Sequence, residues 1–74
     1  MNREEFLNNV IDILQVEDPT SISFDTNLID VDEWDSISII SMKVFLETEF
    51  NKVVSVDDLN DVDRIEDLAK IAGI

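Results

Sequence analysis

The chain has 74 residues, 18 acidic side chains against 5 basic ones, no histidine, no cysteine and a formal charge of -13 at neutral pH. That charge repels nucleic-acid phosphates and anionic lipid surfaces, so partners are expected to be basic. The missing residues exclude disulfides, thiolate chemistry from the chain itself, and histidine acid–base or metal chemistry.

A chain of this length buries one small core with a net stability of about 5 kcal/mol, which predicts a single domain over residues 1–74. Apolar residues form 45% of the sequence and are spread along it, so it is expected to fold despite its charge. The polar start "MNREEF" and the lack of any apolar run near ~20 residues predict neither a signal peptide nor a membrane anchor. The expectation is a cytoplasmic monomer.

The first predicted helix opens at Asn2, which with Glu5 has capping-box spacing, and runs to about Val16. Steps of 100° gather Phe6, Leu7, Val10, Ile11, Ile13 and Leu14 on one side. Asp18-Pro19 ends it, because the residue before a proline is driven out of helical geometry. Residues 17–35 are predicted as a long loop, since "TSISF" alternates weakly but has no second strand to pair with. Phe24, Leu28, Ile29 and Trp34 are expected to anchor this loop over the helices.

A second helix starts near Ser36 and carries two apolar stripes. Ile39, Met42, Leu46 and Phe50 form one, and Ile37, Ile40 and Val44 form another on nearly the opposite side. One stripe faces the core, and the sequence leaves open whether the other is covered by helices or meets something outside the chain. Asn51-Lys52 breaks this helix, "SVDDLND" predicts a short helix from Val56 to Asn60, and Asp63 with Glu66 repeats the capping-box spacing for a last one. That helix buries Ile65, Leu68, Ala69 and Ala72 and ends at Gly73. The predicted fold is all-α, a small antiparallel bundle of three main helices and one short helix.

Within "EWDSISII", Asp35 is the better N-cap by residue type, which puts Ser36 at the first helical position with its hydroxyl toward solvent. A serine at a helix start is usually only a cap or a solvated side chain. A triad nucleophile is excluded by the absence of histidine, with Lys43 two turns away. The unpaired N–H groups and partial positive charge of a helix start do suit a phosphodiester on Ser36, by roughly 0.3 to 1 kcal/mol.

The order of a first amphipathic helix, a long anchored loop, "DSISII" opening a second helix that ends "FLETEF", and a capped last helix resembles the acyl carrier proteins. The resemblance covers essentially the whole chain, with Ile37 in place of the leucine of the family's Asp-Ser-Leu signature. It implies that a separate magnesium-dependent phosphopantetheinyl transferase attaches 4'-phosphopantetheine from coenzyme A to Ser36. The arm's terminal thiol then carries acyl groups as thioesters between enzymes.

The resemblance also implies that Asp35 assists recognition by the transferase and its metal site. It gives Ile37, Ile40 and Val44 to contact with partners and with the inner end of the acyl chain. Glu47 and Glu49 resemble the acidic recognition helix that meets basic docking patches on acyl-transferring or synthase enzymes. Departures are Ser38, Ser41 and Lys43 where many fatty-acid carriers are acidic, which implies a less negative partner surface. Trp34 before the Asp-Ser pair resembles specialised carriers, including aminoacyl and D-alanyl carriers.

Two rival readings follow from the residues. A calcium loop at Asp30, Asp32 and Asp35 fails the EF-hand pattern, whose sixth and twelfth positions here are Asp35 and Ser41. An acidic helical docking domain without a prosthetic group, in which Ser36 merely starts a helix, is the alternative of a different class.

Overall fold

The computed structural model describes residues 1–74. Four α-helices, α1 (Arg3–Leu14), α2 (Ser36–Phe50), α3 (Val56–Asn60) and α4 (Ile65–Ala72), form a small bundle, with 3-10 turns at Pro19–Ser21 and Leu28–Asp30. Helix α2 packs against α1 and α3, and α1 packs against α4. The fold class is the one predicted.

The capping box at the start of α1 is present. Asn2 Oδ1 accepts from the Glu5 N–H at 2.8 Å, and a Glu5 carboxylate oxygen accepts from the Asn2 N–H at 3.2 Å. The helix stops at Leu14 instead of Val16, because Gln15 turns left-handed (φ 55) and its N–H closes onto the Ile11 carbonyl. Phe6, Val10 and Leu14 are buried, while Leu7, Ile11 and Ile13 lie at the core's edge. The Phe6 ring meets the rings of Phe45 and Phe50 at centroid distances of 5.8 and 5.7 Å, both in tilted or edge-on geometry. Such pairs add to the area that the rings bury.

The long connection is held down as expected, but by a corrected set of residues. Leu28 is buried and Phe24 and Trp34 pack partly buried against the core, whereas Ile29 is 91% exposed. The cause is the 3-10 turn at Leu28–Asp30. Its three-residue period points Leu28 and Val31 inward together and turns Ile29 to solvent. Ile22 is a further buried anchor.

This connection also caps α4. The Ile65 N–H donates to the Thr26 carbonyl and the Glu66 N–H to the Phe24 carbonyl, while Leu28 donates back to Asp63 beside an isolated antiparallel bridge between Asn27 and Arg64. The segment judged strand-like but partnerless therefore gives way to a stretch that lies along the start of α4. As a result the cap is Arg64 instead of Asp63, with Asp67 instead of Glu66 as the reciprocal acid. At the other end, Gly73 caps α4 with φ 87, a conformation that glycine adopts without strain.

The Asp67 carboxylate accepts from the Arg64 N–H at 3.0 Å and the Asp63 N–H at 3.2 Å. Its pKa is held below the ordinary carboxylate value, first by the Arg64 N–H and then by the Asp63 N–H and the Lys70 charge, against a partial desolvation. A carboxylate with a lowered folded-state pKa stabilises the fold fully above its unfolded value, and that stability is lost as the pH falls through the folded value. The start of α4 should accordingly loosen in the acid range below the usual aspartate pKa. An NMR pH titration should show the Arg64 amide shift tracking the Asp67 carboxyl, and Asp67→Asn should abolish that acid-side change.

Of the 18 acidic side chains, three are in ion pairs: Glu66 with Arg3, Glu47 with Lys43, and Asp67 with Lys70. The remainder repel one another across a globule with a radius of gyration of 11.0 Å, close to the screening length at ordinary ionic strength. Millimolar magnesium is expected to raise the melting temperature, and an unchanged transition in a thermal scan would show that this repulsion does not limit stability.

Candidate functional site

Helix α2 resolves the question of its two stripes. Ile39, Met42 and Leu46 are buried at 5% exposure or less, and Phe50 packs beside them. Ile37, Ile40 and Val44 stand out to solvent at 77%, 55% and 55% exposure, so no other helix covers them. Three branched apolar side chains on successive turns form a ridge that the folded chain leaves unused.

Ser36 sits at the head of this ridge, exposed, with its hydroxyl in no hydrogen bond to the rest of the chain. The geometry follows from Asp35, which is extended (φ -125, ψ -174) and caps α2. Its Oδ1 accepts the Ile37 N–H at 3.0 Å and the Ser38 N–H at 3.1 Å. The capping role expected of Asp35 is thus present.

This capping corrects the electrostatic expectation for a phosphodiester. The Ile37 and Ser38 donors that a phosphate would meet are already taken by Asp35, whose own charge lies beside Ser36. An anion on Ser36 would find the helix field diminished by that carboxylate and fewer free N–H groups than the sequence suggests.

Two further expectations are corrected. Ser38, counted among the residues that make the partner surface less negative, is 5% exposed and does not belong to that surface. It is also the site residue that the sequence reading missed as such; the signal available was the Asp35-to-Ser38 capping-box spacing, with Ser in place of the usual Glu or Gln. Of the acidic pair, Glu47 lies three turns along α2 from Ser36 and is ion-paired with Lys43, while Glu49 faces the α1 side, sharing a groove with Asn9 and Asp12. The ridge therefore carries little net charge along α2. Carboxylates cluster instead before Ser36, where Asp30, Asp32 and Asp35 are exposed. No cluster of three or more acidic side chains is arranged to hold a metal ion.

Trp34 is half-buried and lines a cleft of about 510 Å³ together with Leu28, Val31, Ile39, Val62 and Arg64. The cleft lies between the first connection and the segment joining α3 to α4, so Trp34 and Ile39, on either side of Ser36 in the chain, both contribute to its wall.

Against protein-family models, residues 4–72 match the model described as phosphopantetheine attachment site. The chain belongs to the phosphopantetheine-attachment family. Members carry 4'-phosphopantetheine covalently on a serine, act in general as non-catalytic carriers, and interact with transferases and synthase enzymes. An exposed, unbonded hydroxyl at a helix start fits such a group, and the thiol that the group supplies when bound is one that a chain without cysteine lacks. Comparison with curated proteins and with solved structures gives no significant match. No helix of this family member is long and apolar enough to cross a membrane.

Proposed function

We propose that this protein is an acyl carrier whose single domain, residues 1–74, bears 4'-phosphopantetheine on Ser36. Acyl intermediates ride as thioesters on the arm between enzymes of fatty acid or specialised acyl and polyketide-type biosynthesis. The observation that carries this reading is the exposed, hydrogen-bond-free hydroxyl of Ser36 at the head of α2, in a chain that matches the family over residues 4–72.

The chain has no histidine to activate this hydroxyl and Asp35 is engaged in capping α2, so a separate phosphopantetheinyl transferase makes the bond. The Ser36 oxygen attacks the phosphate that bears pantetheine in coenzyme A, the pyrophosphate bond breaks, adenosine 3',5'-bisphosphate leaves, and the hydroxyl proton passes to the transferase. Asp35 holds the helix start for this step and presents its second carboxylate oxygen to the transferase. Ile37, Ile40 and Val44 supply the apolar contact for partners, with Trp34 at the edge of the same surface and Glu47 and Glu49 at its far end. The protein works in the cytoplasm, in keeping with a chain free of cysteine.

The nearly neutral ridge of α2 favours a second form of the same reading, an aminoacyl or D-alanyl carrier of a specialised pathway. Its partners would then rely on apolar contact along α2 more than on a basic patch. Intact-mass spectrometry after incubation with coenzyme A, magnesium and a transferase is expected to show one phosphopantetheine added per chain. A protein left unmodified by transferases of both narrow and broad specificity would overturn the carrier reading in favour of an acidic docking domain.

A further inference from the structure

Ser38 is the one buried polar side chain of the molecule, and it is tied to the segment that precedes Ser36. Its Oγ accepts at 2.9 Å from the Asp35 N–H, a donor shared with the Glu33 carbonyl at 3.0 Å, and donates to that same Glu33 carbonyl at 2.7 Å, with the Asp35 carbonyl at 3.0 Å. The Ser38 N–H donates in turn to Asp35 Oδ1 at 3.1 Å. Glu33, Asp35 and Ser38 therefore form a closed knot of hydrogen bonds, with Ser36 on its outer side making none.

We propose that Ser38 is a positioning residue for modification at Ser36, its buried hydroxyl fixing residues 33–36 so that the Ser36 oxygen is presented outward before any partner arrives. This rests on the carrier reading above. The physical basis is preorganisation: a segment held in its reactive shape need not be ordered when the transferase binds. Apparent affinity falls in proportion to the fraction of molecules in the competent shape, so the loss should appear in KM and leave kcat nearly unchanged. A carboxylate at this position would accept from the Asp35 N–H but could not donate to the Glu33 carbonyl, so a hydroxyl has a specific use here.

The test compares Ser38→Ala with the isosteric pair Ser38→Thr and Ser38→Val, of which Thr alone keeps the hydroxyl. Each variant is assayed with coenzyme A, magnesium and one phosphopantetheinyl transferase, and amide hydrogen exchange is followed by NMR. The expected result is a KM raised about 5- to 10-fold in Ala and Val, the size of a lost buried hydrogen bond, and restored in Thr. Exchange of the Asp35 amide should quicken in step, while the amides of Met42 and Leu46 stay protected. Equal KM values for Thr and Val, or an Asp35 amide equally protected in both, would overturn the proposal even if Ala fails to fold. A wild type that no transferase modifies would overturn the carrier reading and this role with it, which separates the two failures.

Discussion

Ser36→Ala protein, incubated with coenzyme A, magnesium and a broad-specificity phosphopantetheinyl transferase, is expected to gain no mass at all while the wild type converts completely. The effect is all or none because a methyl group offers no oxygen for the phosphodiester, and no other serine combines exposure with a place beside the Asp35 cap. The fold should hardly register the change. Ser36 is exposed and its hydroxyl bonds to nothing, so stability should stay within about 0.5 kcal/mol of wild type. Intact-mass spectrometry and a denaturant titration give both halves of the result. Modification persisting in the variant at Ser38, Ser41 or elsewhere would move the attachment point.

The second large effect is on stability. Phe6 is fully buried and its ring meets Phe45 and Phe50 of α2, so it joins the two helices on which the bundle is built. Phe6→Ala should cost about 3 to 5 kcal/mol, the transfer loss plus a cavity that the two neighbouring rings cannot fill. That approaches the whole net stability of about 5 kcal/mol expected for a chain this short. The variant should be largely unfolded at physiological temperature by circular dichroism, and a cooperative transition close to that of the wild type would show that the aromatic cluster is dispensable.

The four helices were legible in the sequence because each is written in local terms: a capping residue, a 3.6-residue apolar period and a breaker. Asn2 with Glu5, Asp35 before Ser36, and Gly73 all act locally, and the expected helices are present, with Phe6, Val10 and Leu14 of the α1 stripe buried and Leu7, Ile11 and Ile13 at the core's edge. The misreadings share a different cause, which is tertiary contact. The cap of α4 moved by one residue, from Asp63 to Arg64, because carbonyls of Thr26 and Phe24 from a distant segment take its first donors. Ile29 reads as an anchor by its hydrophobicity, but the period of a 3-10 turn decides which way it points.

At the candidate site, the exposure of Ile37, Ile40 and Val44 could not be read from periodicity alone, since covering them depends on how other helices pack. The inward turn of Ser38 was legible only in part, through its capping-box spacing from Asp35. Its buried hydrogen bonds reach back to Glu33, a residue outside the helix, and no helical pattern reports such a link.

Trp34 is the chain's sole indole, and there is no tyrosine to compete with it. Half-buried in the cleft wall and next to the capping aspartate, it is a built-in optical probe. Ultraviolet-excited emission from this one ring should change colour when the bundle melts and change intensity when anything settles in the cleft, so each event can be timed without attaching a dye.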